Sequence, residues 1–159
     1  MKRILIILII GFVLAKVQAQ MNNPLQKGMP NTVTLSTGDV VYDLNGEWDA
    51  IYTSNVKYKA SAGDFRTSSK DIVRITQEGN QFVGIKLIGD EFVGKNQETV
   101  KGELEKNGFR KVYTVAWDKE AYRTKWVSCK GEISQDGNKI EAECRPDIFS
   151  IMIIVLKRK

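Results

Sequence analysis

The sequence predicts an all-β domain, an antiparallel up-and-down barrel of about eight strands, carried behind a cleavable export signal. Three observations lead there. Short runs of alternating apolar and polar residues follow one another from Asn45 to the end of the chain. Turn-forming pairs separate most of them: Gly79-Asn80, Gly89-Asp90, Asn107-Gly108 and Asp136-Gly137. The only two cysteines, Cys129 and Cys144, flank the last of these turns symmetrically. Closely spaced short strands with such turns indicate a sandwich or barrel.

The chain begins MKRILIILIIGFVLAKVQAQ. Lys2 and Arg3 precede an apolar run from Ile4 to Ala15, and Val17 and Ala19 supply the small residues of a signal-peptidase site. This predicts a signal peptide over residues 1–19, cleaved after Ala19. The alternative is an N-terminal membrane anchor, but the run is short against the ~20 residues that span a bilayer. The exported chain is therefore expected in the periplasm or outside the cell, with no transmembrane segment after cleavage. Losing Lys2, Arg3 and Lys16 lowers the formal charge from +5 to +2, three cations fewer, so the basic balance is partly an export feature and no nucleic-acid partner is expected. The 140 residues left after removing 19 from 159 suit one domain with one core.

Residues 20–44 contain Pro24, Gly28 and Pro30 without clear periodicity and are expected to form a flexible arm. Within it, 32–35 and 40–42 could make a short hairpin or cover a barrel end. The barrel domain, 45–159, follows with candidate strands at 46–53, 71–77, 81–88, 99–104, 111–117, 126–134, 139–144 and 149–156. A connection of 54–69 joins the first two, and 117–126 could hold a helical turn. In ITQEGNQFVGI, a three-residue loop 78–80 would set Ile75 against Val83 and Val73 against Ile85. A two-residue loop would set Ile75 against Gly84 and Val73 against Lys86, so matched apolar faces favour the longer loop. The last run, IFSIMIIVL, is too short to span a membrane as a helix and apolar on both faces. It suits a strand buried on both sides, a closing strand covered from outside or an edge protected by a partner, with Lys157, Arg158 and Lys159 as a charged end. A membrane barrel is disfavoured because outward positions such as Lys101, Glu103 and Glu105 are charged.

The stretch CKGEISQDGNKIEAEC could be a redox motif, a metal site or a stapled hairpin. With Asp136-Gly137 in a two-residue turn, Ile133 meets Ile140, Gly131 meets Ala142 and Cys129 meets Cys144. Val127, Cys129, Gly131 and Ile133 then share the inner face, while Lys130, Glu132, Glu141 and Glu143 share the outer one. That turn would, however, place the cysteines at a hydrogen-bonded pair, where Cα atoms stand farther apart; a longer turn or a bulge would shift this. In an oxidising compartment two facing cysteines form a disulfide. A zinc site needs more soft ligands than two, and the chain has no histidine, so no metal and no cofactor is expected.

Gly46-Glu47-Trp48 resembles the G-x-W entry of lipocalins and related calycin barrels; the avidin group begins similarly. The connection 54–69 looks like the lid loop after the first lipocalin strand, and eight up-and-down strands match the calycin plan. The resemblance spans 45–159. Departures are the missing second lipocalin turn motif, the missing C-terminal helix and the lack of avidin-like stacking tryptophans. ITQEGNQF and GEISQDGNKI also resemble uncharacterised secreted bacterial barrel proteins, for which the resemblance implies no activity. By this analogy the protein would bind a small apolar or amphipathic ligand in its interior or mouth. The alternative is a protein-interaction module, an inhibitor or envelope assembly factor, with a filled core. Trp48 would plug the closed end of the barrel. Trp117, Tyr122 and Trp126 bracket a charged connection, and with Tyr52 on the first strand they are the candidate ligand contacts; the plainer reading makes Trp117 and Trp126 strand-end core residues. The outward Glu132, Glu141 and Glu143 read as a solvated face rather than an acid/base pair. No enzyme is expected: without histidine there is no Ser-His-Asp triad, and paired cysteines leave no thiol nucleophile.

Overall fold

A computed structural model describes residues 30–57, 64–118 and 120–159. The expected signal peptide over 1–19, the expected arm up to residue 29, and residues 58–63 and 119 lie outside the described residues.

Among the described residues ten strands form two sheets. Strands β1 (Thr32–Thr34) and β2 (Val40–Tyr42) make a small hairpin. The other eight close a barrel in up-and-down order: β3 (Gly46–Lys57), β4 (Asp64–Glu78), β5 (Gln81–Lys86), β6 (Glu98–Glu105), β7 (Gly108–Asp118), β8 (Arg123–Ile133), β9 (Lys139–Asp147) and β10 (Ser150–Arg158). β10 pairs with both β9 and β3, so the last strand closes the barrel and is not an edge. Its inner residues Ile154 and Leu156 are buried, while Ile153 on the outer wall is 39% exposed, so burial on both sides does not hold.

Two expectations about local structure are corrected. β3 and β4 pair along their whole length, from Gly46↔Ile75 to Lys57↔Asp64, so most of the expected loop 54–69 is strand. Thr67, Ser68, Ser69 and Lys70 are all exposed there. Backbone pairing continues past the core, where no apolar alternation marks it in the sequence. The β4–β5 turn has two residues, Gly79-Asn80, because Glu78 pairs with Gln81. Ile75 therefore faces Gly84 and Val73 faces Lys86. Gly84 is required there: a Cβ would lie 2.6 Å from Val100 Cγ1 and 2.8 Å from Val73 Cγ1. The inner face of β5 is Phe82, Gly84 and Lys86, and side chains from neighbouring strands fill the space above the glycine.

The β8–β9 hairpin keeps the expected pairs, Cys129↔Cys144, Lys130↔Glu143, Gly131↔Ala142, Glu132↔Glu141 and Ile133↔Ile140. Its turn is longer than Asp136-Gly137 alone. Ser134 N donates to Lys139 O, Gly137 N donates to Ser134 O, and only Gly137 takes a positive φ, of 70°. This four-residue connection (135–138) preserves register but shifts the hydrogen-bonding alternation by one step. The cysteines consequently occupy a close, non-hydrogen-bonded position with Cα atoms 4.2 Å apart, and they form a disulfide.

Candidate functional site

Alternation and register divide the barrel interior into two halves. One end is closed. The β1–β2 hairpin lies near the β8–β9 turn, since a Cβ on Gly137 would meet the Tyr42 ring at 3.3 Å. Gln77 ties the linker to β4: Leu44 N donates to its Oε1 at 2.7 Å, and its Nε2 donates to Tyr42 O at 3.1 Å. Leu44 and Trp48 are fully buried, and the Trp48 indole N–H donates to Leu44 O at 3.0 Å. Arg158 is not a solvated tail. Its guanidinium lies 4.5 Å from the Trp48 ring centre and donates to the carbonyls of Asn45, at 2.7 Å, and Asp43. Above this plug, Ile75, Phe82, Leu104, Val112, Ile140 and Leu156 pack the interior, and a void there, lined by Phe82, Val100, Phe109 and their neighbours, measures only about 10 Å³. That is room for about one water molecule.

The other end is polar and open. Tyr52, Asp71, Lys86, Thr99 and Thr114 line it. Lys86 is 3% exposed, and its ammonium lies 4.5 Å from the Tyr52 ring centre, pairs with Asp90 and stands 3.9 Å from Asp71 Oδ2. Asp71 accepts the amide N–H groups of Ile72, Ile88 and Gly89 at 2.7, 3.1 and 2.9 Å, so it anchors the start of the β5–β6 connection. Asp90 accepts those of Phe92 and Val93. Burial opposes ionisation of Asp90, but the bonds from Lys86, Val93 and Phe92 outweigh it and hold the carboxyl below its usual range. Tyr52 OH lies 3.2 Å from Thr99 Oγ1, and burial pushes the phenol above its ordinary range. Thr99 reaches this position because Gly84 pairs with Val100 and Ile85 with Glu98, leaving Thr99 as the extra residue of a β-bulge. Thr114 donates to Thr99 O at 2.8 Å.

One step further out, Ser54, Thr67, Ser69 and Met152 continue the inward-facing rows, through the pairs Tyr52↔Ser69, Ser54↔Thr67 and Met152↔Ser54. Ser69 and Thr67 are exposed although they share a face with buried residues, so solvent reaches this end of the interior. Around it lie most of the large apolar side chains left in water: Ile88 and Phe92 in the β5–β6 connection, Trp117 at the end of β7, Tyr122 in the β7–β8 turn, and Ile148 and Phe149 in the β9–β10 turn. Phe92 and Trp117 pack with ring centres 5.5 Å apart.

The candidate ligand contacts are thus not one cluster. Tyr52 faces the interior. Trp117 belongs to the apolar rim, and Tyr122 stands 83% exposed with a φ of 48°. Trp126 is on the outer wall, with Lys101 Nζ 4.0 Å above its ring centre, and neither it nor Trp117 is a core residue. Lys86, Asp71 and Asp90 were not anticipated. The sequence carried one signal for them: a lysine at an inward position of an apolar strand, with acids available on the neighbouring strand β4 and in the β5–β6 connection. Among the described residues no group of three or more histidine, cysteine, aspartate or glutamate side chains could hold a metal ion, and no helix is long and apolar enough to cross a membrane. Comparison with protein-family models gives no match, and comparison with curated protein sequences gives none.

Proposed function

We propose that the protein is a non-enzymatic binding module that takes an amphipathic ligand at its open end, head first. The observation that carries this reading is the contrast within one barrel: a filled apolar lower half, and an upper half with solvent-reached hydroxyl groups ringed by exposed apolar side chains. A polar head would meet Ser54, Thr67, Ser69 and Tyr52, and the apolar remainder would lie over Phe92, Trp117, Ile148 and Phe149. Membership of the lipocalin and calycin group is part of the proposal, supported by Gly46-Glu47-Trp48 at the closed end of an eight-stranded barrel. Export to the periplasm or beyond is supported by the disulfide, which suits an oxidising compartment.

Trp117 provides the test. A nitroxide-labelled lauric acid should quench tryptophan fluorescence saturably, and Trp117→Phe should remove most of the quenching while the fully buried Trp48 stays bright. Quenching that does not saturate, or that survives Trp117→Phe unchanged, would exclude a ligand at this rim. The second reading, a protein-interaction module, is favoured by the filled lower core together with the protruding Tyr122 and Ile148, which suit a concave partner.

A further inference from the structure

A second feature lies on the outer wall, apart from the open end. A groove of about 420 Å³ runs across the outer face of β4 to β7, lined by Thr76, Gln81, Val83, Lys101, Lys111 and Tyr113 among others. Its volume falls within the ~300–1,000 Å³ typical of small-molecule sites. Alternation fixes which side chains face it. Val112 and Thr114 are buried inside, so Lys111 and Tyr113 point out; Val100 is buried inside, so Lys101 points out. One residue beyond the paired Val112↔Cys129, Lys130 leaves β8 on the same outer face, beside Lys111.

Lys101, Lys111 and Lys130 form no ion pair with a described residue. The acids across from the last two are engaged elsewhere: Glu103, paired with Lys111, binds Arg110 at 3.1 Å, and Glu143, paired with Lys130, binds Arg145 at 3.0 Å. Like charges held side by side on a sheet face repel. Lys101 instead lies over Trp126. The groove therefore combines a phenol ring and the apolar Val83, neutral hydrogen-bonding groups on Thr76 and Gln81, carboxylates on Glu78 and Glu103 that can accept sugar hydroxyls, and a cluster of lysines at one side.

We infer that this outer groove binds an acidic sugar. The ring stacks on Tyr113, its hydroxyls bond Thr76, Gln81 and the two carboxylates, and its carboxylate lies between Lys111 and Lys130. A nucleic acid fits less well, because Glu78, Glu103, Glu132 and Glu143 interrupt the positive surface on every side.

The test is a 15N NMR titration at fixed ionic strength with three probes: galacturonic acid, tetragalacturonic acid and inorganic pyrophosphate. Both sugar acids should give saturable shifts confined to the backbone amides of Lys101, Lys111, Tyr113, Ser128 and Lys130. Tighter binding of the tetramer assigns the site to a polysaccharide chain, and equal affinities assign it to a free sugar acid. Lys111→Gln and Lys130→Gln, both at exposed positions that leave the core untouched, should each weaken binding about tenfold, the loss of one charge-assisted contact. Shifts spread over all lysines, or affinity unchanged by both substitutions, would overturn the site. Pyrophosphate binding as tightly as the sugars would overturn the sugar assignment.

Discussion

At the closed end Trp48 lies in a dry pocket under Arg158, Leu44 and the β1–β2 hairpin, with its one polar atom bonded to Leu44 O. At the open end Tyr52, two rows further along the same face of β3, lies under a buried ammonium and beside exposed serine and threonine. Both rings are held by a cation and a hydrogen bond. They differ in their surroundings: apolar side chains continue beyond Trp48, whereas hydroxyl groups reached by solvent continue beyond Tyr52. One strand thus serves as core in its first half and as a polar, partly exposed wall in its second. What distinguishes the halves is the chemistry of neighbouring rows, since the backbone pairing is the same in both.

The closed half should matter far more for stability than the open half. Trp48→Ala should be the most damaging single change, costing about 3–5 kcal/mol because the cavity beneath Arg158 has no side chain ready to fill it. Urea unfolding measures this, and a loss under about 1 kcal/mol would mean that the closed end is not the centre of the core. Replacing both cysteines by serine should cost about 3 kcal/mol, from a bridge 15 residues apart in sequence. The fold should persist at low temperature, since Trp48, Ile75 and Leu156 pack on other strands. Mass spectrometry of non-reduced protein should find no alkylatable thiol.

Lys86→Met sharpens the contrast. It removes the ammonium from Asp90 and should cost about 2 kcal/mol, less than the ~3–5 kcal/mol of a fully buried pair because Asp90 keeps partial contact with water. The sign of its pH dependence follows from Asp90. A carboxyl held below its usual range stabilises the folded state above the ordinary value near pH 4, and that contribution fades as pH falls toward the lowered value. Lys86 supplies much of the lowering, so the deficit of Lys86→Met should shrink as the solution is acidified below about pH 4. A deficit constant from pH 7 to pH 3 would show that the lysine acts by packing alone. The smallest effect belongs to the rim. Phe92→Ser and Ile148→Ser should change stability by less than about 0.5 kcal/mol while weakening capture of the labelled fatty acid. Large destabilisation by Ile148→Ser would mean that the rim is part of the core after all.

The register of the cysteine hairpin was legible because its inner face is unambiguous: Ile133, Gly131 and Cys129 can point inward only if Ile140, Ala142 and Cys144 oppose them. The length of its turn was not, because Asp136-Gly137 fits both a two-residue and a four-residue connection, and the backbone bond from Ser134 N to Lys139 O distinguishes them. The β4–β5 turn departs from apolar matching for a related reason. Matching apolar residues across strands assumes that each inward side chain packs on its partner; here Gly84 is filled by Val73, Ile75 and Val100 from both neighbouring strands, and an inward lysine is neutralised by acids from elsewhere.

The signals carried by the chain itself are local: alternation over two residues, turn chemistry at glycine and asparagine, a Gly-x-Trp start and a cysteine pair in register. These indicate the strands and their antiparallel up-and-down order, while the pairing of β10 with β3 closes the eight-stranded wall. The tertiary structure decided what the wall encloses. Trp48 meets Arg158 across 110 residues of chain, Lys86 meets Tyr52 across 34, and the bulge at Thr99 brings its hydroxyl to Tyr52 and its carbonyl to the Thr114 hydroxyl. Closing a barrel brings inward residues from every strand into shared layers, so the character of each layer depends on contacts that no single strand's pattern contains.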